Sequence, residues 1–251
     1  MKIICISDLH QRFFVDKEEQ EKLDIFYSFL DSLVQDPPDK LIIAGDLFDV
    51  WFEYAMVIPK AFFDTLHKLK IIVDKGTKII YVAGNHDFVF KDFFQKDLKG
   101  EVYENDYTFN CGRNKFYVSH GDEYTSNDLQ YHVLKNVLRS PVVHTIFGWL
   151  HPDLGLKTGR LMSRSSRKHS KSSKTLVRQE KGLIEYSKKL FSEGYNYTIM
   201  GHIHSPQMLA VNNGTYINLG DWIRHYSYLE IIDDKVELKT WKKISYRVVE
   251  E

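Results

Sequence analysis

Short apolar, β-branched runs alternate with stretches of helical periodicity through the first third of the chain. "KIICIS" (2–7) has the length and composition of a buried strand. Over 18–35, Leu23, Phe26, Leu30 and Leu33 fall at helical spacing, and "PPD" closes the helix they predict. "KLIIAG" (40–45) predicts a second strand. Residues 59–76 predict a second helix, with Pro59 near its start and Gly76 just past its end. "TKIIYVAG" (77–84) predicts a third strand, and the β-α-β-α-β alternation argues for an α/β core. Later strands are predicted at "KFYVSH" (115–120) and at "NYTIMG" (196–201), the latter after the helical "LIEYSKKLFSEG". The tail "TYINLGDWIRHYSYLEIIDDKVELKTW" reads as β-hairpins with "DDK" as a turn, so two packed sheets with flanking helices are expected.

The middle of the chain breaks this rhythm. From Asp128 to Lys181 the periodicity is helical with no strand signal. A bulky apolar part (Val133, Leu134, Val137, Leu138, Val142, Val143, Ile146, Phe147, Trp149, Leu150) is followed by Lys157–Arg178, which holds no acidic residue. This span, 128–181, is read as a helical cap inserted in a single domain covering 1–251. No internal repeat is seen.

Composition adds exclusions. The formal net charge is zero, so no global field steers nucleic acid to the chain and no nucleic-acid partner is expected. The two cysteines, Cys5 and Cys111, make neither a disulfide framework nor a zinc–thiolate site. No signal peptide is recognised, and no run approaches the ~18 apolar residues of a membrane span. A soluble, cytoplasmic protein is expected.

The chemistry lies at the strand ends. Asp8 and His10 follow the first predicted strand, Asp46 the second, and Asn85, His86 and Asp87 the third. His120 and Asp122 follow "KFYVS", and His202 and His204 follow "YTIMG". In α/β sheets the carboxyl ends of strands converge on one site. Carboxylate, amide and imidazole donors without thiolate suit divalent manganese, iron, zinc or magnesium. Seven such side chains are too many for one ion but fit two, with a carboxylate between them, an arrangement that activates water against a phosphoryl group. Asp8-x-His10 and His202-x-His204 are expected on extended segments, where residues two apart share a side. Taken singly, each motif also fits a plainer role: a turn for Asp8-Leu9-His10, a helix N-cap for Asp46, a left-handed turn for Asn85, a solvated surface for the histidines. Five strand ends of the same kind favour the shared site.

"DLH", "GDLFD", "GNHD", "HGD" and "GHIH", in this order over residues 8–204, resemble the calcineurin-like metallophosphoesterases. The resemblance implies a four-layer α/β/β/α sandwich. It also implies that Asp8, His10, Asp46 and His204 hold one metal ion, that Asp46, Asn85, His120 and His202 hold the other, and that Asp46 bridges. His86 would then lie beside the substrate phosphate, and His86 and Asp46 are taken as the catalytic pair. A supporting role, orienting histidines, is expected of Asp87.

"GDLFD-W", the later "HGD…D" and "SSK" in the insert are similar to the UDP-2,3-diacylglucosamine pyrophosphohydrolases within that family. That similarity implies a pyrophosphate substrate cleaved to UMP and a lipid monosaccharide phosphate. Substrate would be contacted by Asn85, His86, Asp128, Ser173, Lys174 and His202, with two divalent ions, manganese foremost, as cofactor. The apolar cap would face acyl chains, and the acid-free run a phosphate or the inner membrane surface. The plainer readings are a cap packed on the core and a solvated helix face. The chain departs from the subgroup in two respects: His86 stands where those enzymes carry Arg, and after "HGD" it has Asn127-Asp128-Leu129 and Gln130-Tyr131 where paired acids and the reverse order, Tyr-Gln, are usual. Another nucleotide, sugar phosphate or phosphodiester is therefore the alternative substrate. A non-catalytic scaffold is a further reading, and the intact ligand set argues against it.

Overall fold

Two sheets are stacked face to face, and their inner faces make the centre of the core. The computed structural model describes residues 1–125, 140–158 and 173–241. In the first sheet, β1 (Lys2–Ile6), β2 (Lys40–Ile43), β4 (Lys78–Val82) and β6 (Glu101–Tyr103) run parallel. The hairpin of β12 (Ser227–Ile232) and β13 (Lys235–Thr240) joins antiparallel beside β1, giving the order β13-β12-β1-β2-β4-β6. The second sheet has the order β10-β11-β9-β8-β7. In it β8 (Asn114–Ser119), β9 (Tyr197–Met200) and β11 (Gly214–Asn218) are parallel, and β7 (Asp106–Cys111) and β10 (Gln207–Val211) are antiparallel edges.

The register explains why the strands read as unbroken apolar runs. Cys5 lies opposite Ile42 and Ile42 opposite Ile80, and this row faces the second sheet. Their neighbours Ile4, Leu41 and Ile79 face the helices on the other side. A strand covered on both faces has no solvent position to alternate with. The second sheet follows suit: Phe116, Val118, Ile199 and Ile217 point inward. Tyr117, Met200 and Tyr216 point out to Leu183, Leu190 and Phe191. The outer layers are α1 (Lys17–Gln35), α2 (Phe63–Asp74) and α3 (Phe93–Lys96) on the first sheet, and α5 (Ser173–Ser192) on the second. The result is the expected α/β/β/α sandwich. α1 starts where Asp16 accepts from the Glu19 N–H at 2.9 Å, and it buries Leu23, Phe26, Leu30 and Leu33.

The strands β6, β7 and β10 and one short two-stranded pair lay outside the sequence expectation. β7 pairs with β8 through a tight turn, and its alternation buries Tyr107, Phe109 and Cys111. β3 (Trp51–Phe52) and β5 (Asp87–Val89) make a separate two-stranded parallel pair. Phe147 of α4 (Pro141–Trp149) and Leu156 pack on Phe52, Tyr54 and Val89 of that region. The stretch carrying Phe147 and Leu156 is thereby seated on the element that leads directly out of Asn85-His86-Asp87. The boundary drawn at Lys181 falls within α5, which runs unbroken from Ser173 to Ser192. Among the described residues, no helix is long and apolar enough to cross a membrane.

Candidate metal centre

The strands carrying the motifs are all parallel within their sheets, so their carboxyl ends open at one place. Asp8 and His10 arrive from β1, Asp46 from β2, Asn85 and His86 from β4, His120 from β8, and His202 and His204 from β9. All seven expected ligands come together there. The two-apart motifs do so by a different route from the one expected. Asp8 (φ 55°), His10 (48°), His202 (69°) and His204 (54°) are left-handed rather than extended, and Asp46 (56°) is too. A non-glycine residue in that region costs about 1–3 kcal/mol and persists only where its surroundings over-determine it. Here the ladder continues past the strands: the Asp8 N–H donates to Gly45 O at 3.2 Å, His10 N–H to Asp46 O at 2.9 Å, and Gly201 N–H to His120 O at 3.0 Å. Strain concentrated on the candidate ligands turns their side chains inward.

The atoms fall into two groups that share one oxygen. In the first, Asp8 Oδ1 lies 3.4 Å from His10 Nε2 and 3.2 Å from His204 Nε2, and His10 Nε2 lies 3.6 Å from Asp46 Oδ2. In the second, His120 Nε2 lies 3.3 Å from the same Asp46 Oδ2 and 3.0 Å from Asn85 Oδ1, while His202 Nδ1 lies 2.8 Å from Asn85 Oδ1. The other Asp46 oxygen, Oδ1, is tied to the His86 N–H at 2.9 Å.

The donor set fits a cation. His120 Nδ1 is 2.9 Å from the Ala44 carbonyl, which can only accept, so the ring proton sits on Nδ1. In the neutral ring Nε2 is then a lone pair aimed at carboxylate and amide oxygens. Asp8 Oδ1 is buried with no hydrogen-bond partner. Buried acceptors facing one another are costly unless a positive charge lies between them. Three overlapping groups of carboxylate and imidazole atoms have the spacing of a cation cage: Asp8/His10/His204, Asp8/Asp46/His120 and His10/Asp46/His86. Without metal, protons play that part. Burial disfavours a charged His120, but Asp46 and Asp8 outweigh it and push the ring up to about 10. Burial likewise opposes a charged His204, yet Asp8 and Asp221 raise it to about 10. For Asp46, burial raises the carboxyl, and His120, His86 and His10 overcome it and hold it far below the usual range.

Glycines keep the walls close. A Cβ on Gly84 would sit 2.9 Å from Asp46 Cγ and closer still to Oδ1. A Cβ on Gly201 would press on Asp8 Oδ2 and come within 2.7 Å of Ser7 Oγ.

His86 stands apart from the seven. Its Nδ1 is 2.5 Å from the Asp49 carbonyl, and its Nε2 is 4.0 Å from Asp46 Oδ2, farther than any of the other contacts to that oxygen. Its ring meets His10 edge-on, with centroids 4.7 Å apart. Asp87 does not orient a histidine, as the sequence had suggested. Its Oδ2 accepts from the Gly84 and Asp46 N–H groups at 2.8 and 3.0 Å, and its Oδ1 from Tyr81 OH at 2.9 Å. It therefore braces the loop backbones; burial and the Asp46 charge push its own carboxyl up to about 6. Trp222 is wholly buried core, against Phe26 and Phe29. Asp128 lies outside the described residues; Ser173 and Lys174 open α5, and their side chains are outside the described set. The sequence reading missed Asp221, whose Oδ2 is 3.4 Å from His204 Nδ1. Its signal was present: "LGD" after β11 repeats the strand-Gly-Asp pattern that marks Asp46.

Comparison with known proteins agrees with this geometry. Residues 1–206 match the family model described as calcineurin-like phosphoesterase. A Porphyromonas gingivalis protein named UDP-2,3-diacylglucosamine hydrolase is 31% identical over 73% of this chain and 76% of its own. A protein of that name from Aliivibrio fischeri is 27% identical over 93% of this chain and 95% of its own. One from Shewanella sp. is 29% identical over 96% and 97%. Among solved structures, the Escherichia coli phosphoesterase Yfce shares the fold, with a TM-score of 0.51 at 14% identity over 98% of this chain and 96% of that one.

Proposed function

The chain belongs to the calcineurin-like phosphoesterase family and is a hydrolase of phosphate esters, and from that premise we propose that it hydrolyses the pyrophosphate of UDP-2,3-diacylglucosamine to UMP and 2,3-diacylglucosamine 1-phosphate. The observation that carries the substrate is the 31% identity to the Porphyromonas gingivalis hydrolase of that name. In this reading Asp8, His10, Asp46 and His204 would hold one divalent ion and Asp46, Asn85, His120 and His202 the other. Two such ions, manganese in first place, supply the Lewis acidity that polarises a phosphoryl oxygen and acidifies water at neutral pH.

The chain's own residues do the rest. Asp46 is fixed through Oδ1 by the His86 N–H, which leaves Oδ2 free to serve both sides. His86 donates from Nδ1 to the Asp49 carbonyl, so its Nε2 faces the cleft, where, in the protonated ring, it can donate to a phosphoryl oxygen or to the leaving oxygen. Asn85 and His202 border the same phosphate, and Asp128, Ser173 and Lys174 are assigned to the sugar-phosphate side. Phe147 and Leu156 are used up in packing on Phe52, Tyr54 and Val89, and it is the exposed Trp149 and Leu154 of the same stretch that support a lipid-bearing substrate and a working position against the inner membrane surface.

His86, where the resemblance to the UDP-2,3-diacylglucosamine pyrophosphohydrolases implies Arg, supports the second reading, a phosphodiester or sugar nucleotide without acyl chains. Manganese-loaded protein assayed on UDP-2,3-diacylglucosamine beside bis-p-nitrophenyl phosphate separates the two. Release of UMP from the lipid substrate is expected; turnover of the aryl ester alone would overturn the lipid assignment.

A further inference from the structure

Asp221 is buried behind the centre, and its two oxygens have separate tasks. Oδ1 accepts from the backbone N–H groups of Ile223, Arg224 and His225 at 3.0, 2.7 and 3.0 Å. Three donors on one oxygen fix the plane of the carboxylate. Oδ2 is thereby left facing two imidazoles, His204 Nδ1 at 3.4 Å and His225 Nδ1 at 3.2 Å. The next residue in the same turn, Trp222, donates its backbone N–H to the Asp8 carbonyl at 3.1 Å. One turn thus grips two members of the same group from behind, Asp8 by its backbone and His204 by its ring.

We propose that Asp221 is a positioning residue: it fixes the tautomer and ring orientation of His204 so that Nε2 presents a lone pair to the cation shared with Asp8, His10 and Asp46. The inference rests on the reading of His204 as a ligand. A carboxylate can only accept, so a neutral imidazole that turns Nδ1 toward it carries its proton there, and Nε2 is left unprotonated. That nitrogen lies 3.2 Å from Asp8 Oδ1, a spacing bridged by a proton while the ring is charged and, once the ring is neutral, one that two ligands of a single cation can hold. Lacking Asp221, the neutral ring could hold its proton on Nε2 and would then offer no lone pair. A carboxylate behind a ligating imidazole also raises its basicity, and losing such a partner typically weakens metal affinity about 10–100-fold. His225 shares the same oxygen but belongs to none of the cation-sized groups found among the described residues, so its ring is not expected to matter.

The discriminating variant is Asp221→Asn. The three backbone donors hold the amide oxygen where Oδ1 was, which keeps the turn, and the NH2 group is turned toward His204. Calorimetric titration of metal-free protein with Mn2+ reads the two sites separately. In Asp221→Asn one affinity is expected to fall about 10–100-fold while the other stays within about twofold, and His225→Ala should alter neither. Both affinities intact in Asp221→Asn, with one lost in Asp221→Ala, would reduce Asp221 to a brace for its turn and overturn the proposal. A second readout needs no variant: ring 15N resonances of the zinc-loaded wild type should show His204 protonated at Nδ1, and protonation at Nε2 would overturn the proposal. Failure of the wild type to bind Mn2+ would instead bring down the reading of the whole site with it.

Discussion

Gly84→Ala tests how closely the Asp46 carboxylate is held. Gly84 is outside the left-handed region, so its backbone accepts Ala without strain and the effect is steric. The new Cβ would lie 2.9 Å from Asp46 Cγ, and ordinary contact begins at 3.4 Å, so Cγ must retreat by about 0.5 Å and Oδ1 by more. Oδ1 is tied to the His86 N–H, so its retreat drags the loop that carries Asn85 and His86. Asp87 holds the same turn through the Gly84 and Asp46 N–H groups, which limits relaxation. Overpacking of this kind costs about 1–3 kcal/mol of stability. A displacement approaching 1 Å at reacting groups costs about 100-fold in rate. Thermal melts, metal content and kcat on an aryl phosphodiester would be measured together. The expected result is a folded protein with reduced metal content and a rate down by about two orders of magnitude. A variant with wild-type metal content and more than half the wild-type rate would refute the close packing of Gly84 on Asp46.

His86→Gln should lower kcat by about 100-fold or more while leaving metal content unchanged, because the ring is placed to transfer or stabilise charge and not to ligate; lost metal in this variant would move His86 into the ligand set. Metal binding should release protons. His120 and His204 stand at about 10 in the metal-free fold against an ordinary 6.5, so they stabilise it fully below pH 6.5 and lose that contribution as pH rises toward 10. Metal affinity should therefore climb through the same window, and calorimetry in buffers of different ionisation enthalpy should register roughly two protons released per chain near neutral pH; none released would contradict the charged rings. Trp222→Ala removes a wholly buried side chain seated on Phe26 and Phe29 and should cost about 3–5 kcal/mol in denaturant unfolding. A loss below about 1 kcal/mol would place Trp222 outside the core.

The layering was legible in the sequence because both sheets keep their central strands covered on two faces, and continuous apolar runs such as "KIICIS" and "KLIIAG" are the direct imprint of that burial. The gathering of seven polar side chains was legible because each follows such a run. What the one-dimensional pattern hid was the manner of gathering. Left-handed φ at Asp8, His10, Asp46, His202 and His204 leaves no periodic trace, being imposed by backbone bonds between strands far apart in sequence. Asp221 was hidden for a related reason. Its partner His204 comes from a different loop, and only the fold brings the two within 3.4 Å. The β3–β5 pair is too short, at two and three residues, to show a period.

Anomalous diffraction from crystals of the manganese-loaded protein tests the central claim most directly. Two peaks are predicted, about 3.5–4 Å apart. One should lie among Asp8 Oδ1, His10 Nε2 and His204 Nε2, the other among Asn85 Oδ1, His120 Nε2 and His202 Nδ1, with Asp46 Oδ2 touching both. A single peak, or a pair bridged by any group other than Asp46, would contradict the account.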